Sequence, residues 1–231
     1  QLATAPKLPK SLKIAYAYSH RRDSYRENEA LLGCPLRQGY GMTELGSSLY
    51  VPVEADHMTG SGSVGIPVAH REVMIADEKG DPVAAGEIGE IYVRGRHMFT
   101  GYYKRPEALA AAIAPDGWLR TGDLGRQDKS GWFYFLGRRK DMVRRSSENI
   151  SALEVEEVLR GVPGVIEAAV LPVPDDKRGE EVKAYLRLEE GRTASDVPPD
   201  AVIDHCDRNL ARFKVPRYIE YVEDFLRTPG H

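Results

Sequence analysis

The hydrophobic pattern of this chain turns over inside residues 118–159, WLRTGDLGRQDKSGWFYFLGRRKDMVRRSSENISALEVEEVL. As far as GWFYFLG it is a pattern of strands and turns. Beyond it, Val155, Val158, Leu159 and Val162 fall at i, i+3, i+4 and i+7, the spacing of one buried helix face. Ser151 and Glu154 stand three residues apart at the head of that face. This is the spacing of a capping box, in which each residue satisfies a backbone amide at the start of a helix. Between the two patterns lies GRRKD, a basic joint. Two regions, each with its own core, are predicted: 1–138 and 139–231.

The first region opens with SLKIAYAY at 11–18, which reads as a buried strand. Residues 23–32 read as a helix stopped by Gly33, and a second strand leads into GYGMTE at 39–44. That order predicts a parallel βαβ unit, to about residue 48, with a glycine turn at the strand's carboxyl end. A single such unit cannot cover both faces of a parallel sheet. From residue 63 to 96 the pattern is antiparallel, with REVMIAD, the turn DEKGDP, and a strand carrying Ile88, Ile91 and Val93 in alternation. Residues 49–138 are therefore expected to curl into a β-barrel-like sheet. Pro106 opens a short helix within it. In the second region VIEAAVLPVP, EVKAYLRLEE and RYIEYV read as strands. Residues 200–210 read as a helix with Ile203, Cys206 and Leu210 on one side, giving a small α+β domain.

Length and composition set the outer limits. The 231 residues are enough for two cores, and 42% apolar with 29% charged residues is ordinary for a soluble globular chain. No apolar run reaches bilayer-spanning length, and the first residues lack a signal-peptide core. A net charge of −3 argues against nucleic acid as the main partner. Cys34 and Cys206 form neither a metal spacing nor a disulfide framework, so both are expected to be small buried hydrophobes in a reducing, cytoplasmic setting.

Three motifs carry chemistry. In GYGMTE, Gly39 and Gly41 would let the backbone approach a flat ligand and Tyr40 could stack on a base. Thr43 could donate to a phosphate, and Glu44 is a hard oxygen ligand suited to Mg²⁺. The same residues also fit an ordinary strand-to-loop turn with a solvated glutamate. In TGD, Asp123 would stand exposed on a tight turn and accept two hydrogen bonds from vicinal hydroxyls, though Gly-Asp is also a generic turn dipeptide. Arg138 offers a planar fork for phosphate or ribose oxygens, or is simply a surface arginine. His20 reads as a solvated loop histidine.

The order of the motifs says more than any one of them. GYGMTE, GEIGEIYVRG, YYKRPEA, DGWLRTGDL, GRRKDMV and SSENISALEVEEVL follow one another, and ARFKVPRYIE comes near the end. In this the chain resembles the adenylate-forming acyl-CoA synthetase family, which includes luciferases and the adenylation domains of peptide synthetases. It looks nearest to ligases of the carnitine/crotonobetaine and short-chain type. The resemblance covers nearly the whole chain from about residue 11. It implies the α/β and barrel-like end of a large adenylate-forming domain, followed by a small, mobile α+β domain. It also implies a two-step reaction of a small-molecule carboxylic acid with ATP and then CoA. A homodimer is compatible with it.

Residue by residue, the resemblance implies that Tyr40 lines an adenine site, with Gly39 and Gly41 admitting the ligand. Thr43 would contact phosphate, Glu44 would hold Mg²⁺, and Asp123 would hold the ribose hydroxyls with Arg138 beside it. Lys140 falls at the hinge position, about which the small domain would swing. Residues 145–148 would lie near the path of CoA.

The chain departs from that family in three places. A phosphate loop rich in Ser, Thr and Gly and followed by Lys is not among these residues. Ser146 and Ser147 stand where relatives carry Gly-Gly, narrowing the expected pantetheine path. The tail FLRTPGH either stops one residue short of the family's adenylation lysine or puts His231 in its place. The chain therefore reads as the carboxy-terminal portion of an acyl-CoA synthetase, and these residues alone are expected to be inactive. The alternatives are a module that loads a carrier-protein thiol, and a non-catalytic nucleotide-binding fragment.

Overall fold

A computed structural model describes residues 11–18, 25–146 and 148–225. The chain divides into two compact units, Gln1–Phe135 and Leu136–His231.

In the first unit β1 (Ala15–Ala17) and β2 (Leu36–Met42) are parallel and joined through α1 (Tyr25–Leu32). Gly33 ends α1 at φ 68°, where it donates its amide to the Glu29 carbonyl, a conformation glycine adopts without steric penalty. The strand expected over 11–18 is shorter and only half-covered, with Tyr16 39% and Tyr18 54% exposed. Among the described residues β1 pairs with β2 alone and α1 packs on β2, so little lies over it.

The GYGMTE segment is not a glycine turn at a strand end. Gly39 to Met42 belong to β2, and the turn is made by Thr43, Glu44 and Leu45, where the Leu45 amide bonds the Met42 carbonyl. The chain then returns antiparallel as β3 (Gly46–Tyr50). β4 (Ser63–Pro67), β5 (Arg71–Ala76), β6 (Ile88–Gly95), β7 (Leu119–Gln127) and β8 (Phe133–Arg138) follow, with α2 (Pro106–Ala112) before β7. Proline stands at the first helical position of α2, as expected.

The sheet order is β1-β2-β3-β4-β8-β7-β6-β5. The antiparallel hairpins form as read, but the sheet is an open path and not a closed barrel. β4 pairs with β8 instead of its neighbour β5, and Ser63 in β4 donates its hydroxyl to the Phe133 carbonyl (2.8 Å) across that pair. That leaves β1 and β5 at opposite ends.

Ile91 and Val93 are fully buried, as their period requires, but Ile88 is 62% exposed. Ile88 stands three residues before Ile91, so the period of two turns it to the opposite face; the register shift between Glu90 and Tyr92 puts its extra residues on β7. The core of this unit is built from Tyr40, Leu45, Leu49, Val64, Ile75, Ile91, Val93, Leu119 and Phe133.

The second unit is a mixed, mainly antiparallel sheet with two helices. β9 (Met142–Arg145) and β10 (Glu148–Ser151) form a hairpin that the sequence reading missed. β11 (Val165–Asp175) and β12 (Gly179–Leu188) form a long second hairpin, and β13 (Tyr218–Tyr221) lies parallel to β12. The order is β10-β9-β12-β11.

α3 (Ala152–Leu159) starts on Ser151, whose hydroxyl accepts the Glu154 amide at 3.2 Å and donates to the Leu136 carbonyl. Only half of the capping box forms, since the Glu154 carboxylate is drawn to Lys214 Nζ at 2.7 Å. α3 buries Val155, Leu159 and, beyond its end, Val162. In α4 (Pro199–Asn209) Val202 and Cys206 are the buried pair, and Ile203 is half-buried at the flank. Cys34 and Cys206 are both free and buried.

Candidate functional site

Two sequence motifs meet in the first unit. Tyr40, on β2, is 7% exposed and donates its hydroxyl to Asp123 Oδ2 on β7 at 2.7 Å. The tyrosine ring lies against Phe135, with centroids 5.9 Å apart. TGD is not a tight turn bearing an exposed acid. It sits within β7, and Asp123 is 4% exposed.

The strand is irregular there, and side chains occupy the groups it leaves. Gly122, at φ 73°, donates its amide to Glu90 Oε1 (2.9 Å). Thr121 gives its hydroxyl to the Ile91 carbonyl (2.7 Å) and accepts the Asp123 amide (3.1 Å). Thr121 and Glu90 thus shape the backbone that presents Asp123. Neither was singled out from sequence, where Glu90 passes for the outward residue of an alternating strand.

The glycines of the motif have a reason within the fold. A Cβ on Gly41 would lie 2.3 Å from the Gly46 carbonyl oxygen across the β2–β3 hairpin, and one on Gly39 would lie 3.2 Å from that of Leu49. Close strand approach therefore demands glycine at 41 whatever ligand binds nearby.

The turn after β2 carries Thr43, exposed, and Glu44, half-exposed. Glu44 Oε1 accepts the Tyr102 hydroxyl at 2.8 Å, and its carbonyl accepts the Phe99 amide, also at 2.8 Å. Phe99 meets the Tyr102 ring edge-on with centroids 4.8 Å apart. Partial desolvation, and then the Glu44 carboxylate, push the Tyr102 phenol above its ordinary range, so it stays a donor. Arg71 reaches the same turn, donating to the Leu45 carbonyl and to those of Arg96 and His97. Among the described residues no group of three His, Cys, Asp or Glu side chains gathers as a self-sufficient metal site. Glu44 with Thr43 could supply at most part of one, which fits Mg²⁺, an ion that takes one or two carboxylates and completes its shell with phosphates and water.

Arg138 and Lys140 belong to the second unit and are both exposed. Arg138 ends β8, and Lys140 lies in the short 3₁₀ turn Arg139–Asp141. In the same unit Arg145 does not stand free beside a ligand path. Its Nε donates to Glu181 (2.7 Å), a fully buried carboxylate that Arg178 (3.2 Å) and Arg217 (3.3 Å) also approach. Ser146 holds a left-handed φ of 57° in the β9–β10 hairpin, its amide bonded to the Arg178 carbonyl. His20, Ser147 and His231 lie outside the described residues.

Residues 5–103 match the sequence model of the AMP-binding enzyme, and residues 154–230 match that of the AMP-binding enzyme C-terminal domain. The chain belongs to the AMP-binding enzyme family. Gly39, Tyr40, Gly41, Thr43 and Glu44 fall in the first matched stretch, while Asp123, Arg138 and Lys140 fall between the two.

Among its relatives in this family, a crotonobetaine/carnitine–CoA ligase of Salmonella arizonae is 38% identical over 211 residues, covering 89% of this chain and 40% of the relative. A sulfoacetate–CoA ligase of Cupriavidus necator is 36% identical over 208 residues, with 90% and 40% covered. In three dimensions the chain resembles o-succinylbenzoate CoA synthetase (MenE) of Bacillus subtilis, solved with its acyl-adenylate intermediate, at TM-score 0.84 and 32% identity. That match covers 96% of this chain and 44% of MenE. The chain therefore spans about 40% of the length of the curated relatives it matches, and its fold is that of adenylate-forming enzymes. No helix among the described residues is long and apolar enough to cross a membrane.

Proposed function

We propose that these residues form the nucleotide-handling end of an ATP-dependent acyl-CoA synthetase, together with the small second unit that serves its thiol-transfer step. In the first step a carboxylate oxygen of the acid attacks the α-phosphorus of ATP, an acyl–O–P bond forms, and pyrophosphate leaves. In the second the CoA thiolate attacks the acyl carbon, the thioester forms, and AMP leaves with the electron pair of the broken bond.

The observation that carries the reading is the Tyr40–Asp123 hydrogen bond, which unites two motifs 83 residues apart at one place in the sheet. Tyr40 fixes the Asp123 carboxylate so that it can receive the ribose hydroxyls, and the Tyr40 ring borders the adenine site. Gly39 and Gly41 keep the adjoining backbone free of side chains. Thr43 donates to phosphate. Glu44 holds Mg²⁺, which would neutralise charge on the phosphates as pyrophosphate departs. Arg138 contacts the ribose side of the nucleotide, and Lys140 is the pivot of the second unit.

CoA as acceptor is supported by the names of the two curated relatives described above, both CoA ligases; the acid itself belongs to the whole protein. The two free, buried cysteines support a cytoplasmic setting, and a homodimer is the assembly that sedimentation would detect.

The test is made on the full-length protein. Asp123→Ala is expected to weaken ATP binding by roughly 10- to 100-fold, the worth of hydrogen bonds to a charged acceptor. It should also erase the preference for ATP over 2′,3′-dideoxy-ATP. An unchanged ATP Michaelis constant and an intact preference would refute the ribose assignment.

A further inference from the structure

The Thr43–Glu44–Leu45 turn is held by Arg71 of β5 and by the stretch that carries Phe99 and Tyr102. Phe99 bonds the Glu44 carbonyl, Arg71 links the Leu45 carbonyl to those of Arg96 and His97, and Tyr102 reaches the Glu44 side chain itself. The first two contacts fix backbone. The third fixes a carboxylate that nothing else among the described residues engages: Oε1 takes the Tyr102 hydroxyl, and Oε2 has no protein partner there. The Tyr102 ring is itself braced edge-on by Phe99. A half-exposed glutamate has three rotatable bonds and would otherwise sample several rotamers. A donor on one oxygen removes that freedom and leaves the other oxygen presented to a cation.

We infer that Tyr102 is a positioning residue for Glu44, one that pre-sets the carboxylate for the Mg²⁺–phosphate assembly. The inference rests on the reading of Glu44 as the magnesium ligand. Tyr102 is 38% exposed, so its hydrogen bond can be replaced by water and adds little to stability. Its value lies in orientation: a ligand already in place loses less freedom when the ion arrives.

The experiment measures ATP affinity by calorimetry in the full-length protein, with the acid substrate omitted so that no turnover occurs. Each protein is titrated in saturating Mg²⁺ and again in EDTA, for wild type, Tyr102→Phe and Glu44→Gln. Magnesium should tighten ATP binding in wild type. In Tyr102→Phe that tightening should shrink about fivefold, as loss of one positioning hydrogen bond predicts, with EDTA affinity and melting temperature unchanged. Glu44→Gln should shrink it at least as much.

If Glu44→Gln loses the magnesium effect and Tyr102→Phe keeps it in full, the inference fails and the metal reading stands. If neither variant changes it, the metal reading fails and takes the inference with it. If Tyr102→Phe weakens ATP equally with and without magnesium, or lowers the melting temperature, Tyr102 is structural and the inference is overturned.

Discussion

At the scale of single residues, glycine 41 separates what the fold needs from what a ligand would need. Its missing side chain reads in the sequence as room for a nucleotide, yet the nearest obstacle to a Cβ is the Gly46 carbonyl of the same hairpin. Gly41→Ala should destabilise the first unit by about 3 kcal/mol through overpacking against backbone, whether or not ATP is present. Urea unfolding with and without saturating nucleotide checks this. A variant that unfolds like wild type but fails to bind ATP would return the glycine to a purely ligand-facing role. Asp123 teaches the complementary lesson. An aspartate in a Gly-Asp pair is usually a solvated turn residue, but here β7 carries it into the sheet, where the Tyr40 phenol meets it.

At the scale of elements, the β9–β10 hairpin is governed by its corner. Ser146 holds a left-handed φ of 57°, which costs an L-residue about 1–2 kcal/mol relative to glycine. Glycine loses some of that advantage through its greater freedom in the unfolded chain. Ser146→Gly is therefore expected to raise the stability of the second unit by about 0.5 kcal/mol, seen as a higher urea midpoint at unchanged slope. A lower midpoint would mean that the serine side chain contributes more than its backbone strain removes. The helix that follows shows how an expected motif is redirected. Ser151 caps α3 as its spacing predicts, but Glu154 bonds Lys214, a residue 60 positions away.

At the scale of the whole molecule, each unit contains an acid that burial keeps protonated. In the second unit the Cys206 thiol, fully buried on α4, is pushed up to about 11 by desolvation, with Asp207 adding to the effect. In the first, burial pushes the Tyr25 phenol up to about 12. A thiol raised in the folded state ionises first in the unfolded chain, near its ordinary value of 9.0. Its contribution is therefore complete below pH 9 and is lost as the pH climbs towards 11. The loss amounts to on the order of 2 kcal/mol. Denaturant unfolding of the second unit from neutral to alkaline pH should fall more steeply for wild type than for Cys206→Ala. Parallel curves would show that the thiol does not govern the alkaline limb.

Much of the fold was legible because it is local. The spacing of Val155, Leu159 and Val162 fixes the inward face of α3, Pro106 and Gly33 mark helix ends, and VIEAAVLPVP and EVKAYLRLEE become β11 and β12. The basic stretch after the aromatic strand falls beside the border of the two compact units. The motif residues were legible as chemistry by the same token, since glycine, a carboxylate and a guanidinium carry their properties wherever they stand. What sequence could not supply was everything decided by chain segments far apart. The pairing of β4 with β8 joins strands 70 residues apart in a sheet that does not close, and the three-residue step from Ile88 to Ile91 leaves Ile88 on the outer face. Tyr102 is brought to Glu44 across 58 residues, and three arginines surround Glu181 on a strand that reads as ordinary alternation. By itself, then, the sequence determined most of the elements, the β9–β10 hairpin excepted, and the residue types on offer. Only the tertiary structure decided which of those residues meet, because a hydrogen bond requires two groups within about 3 Å, and no local period encodes that distance.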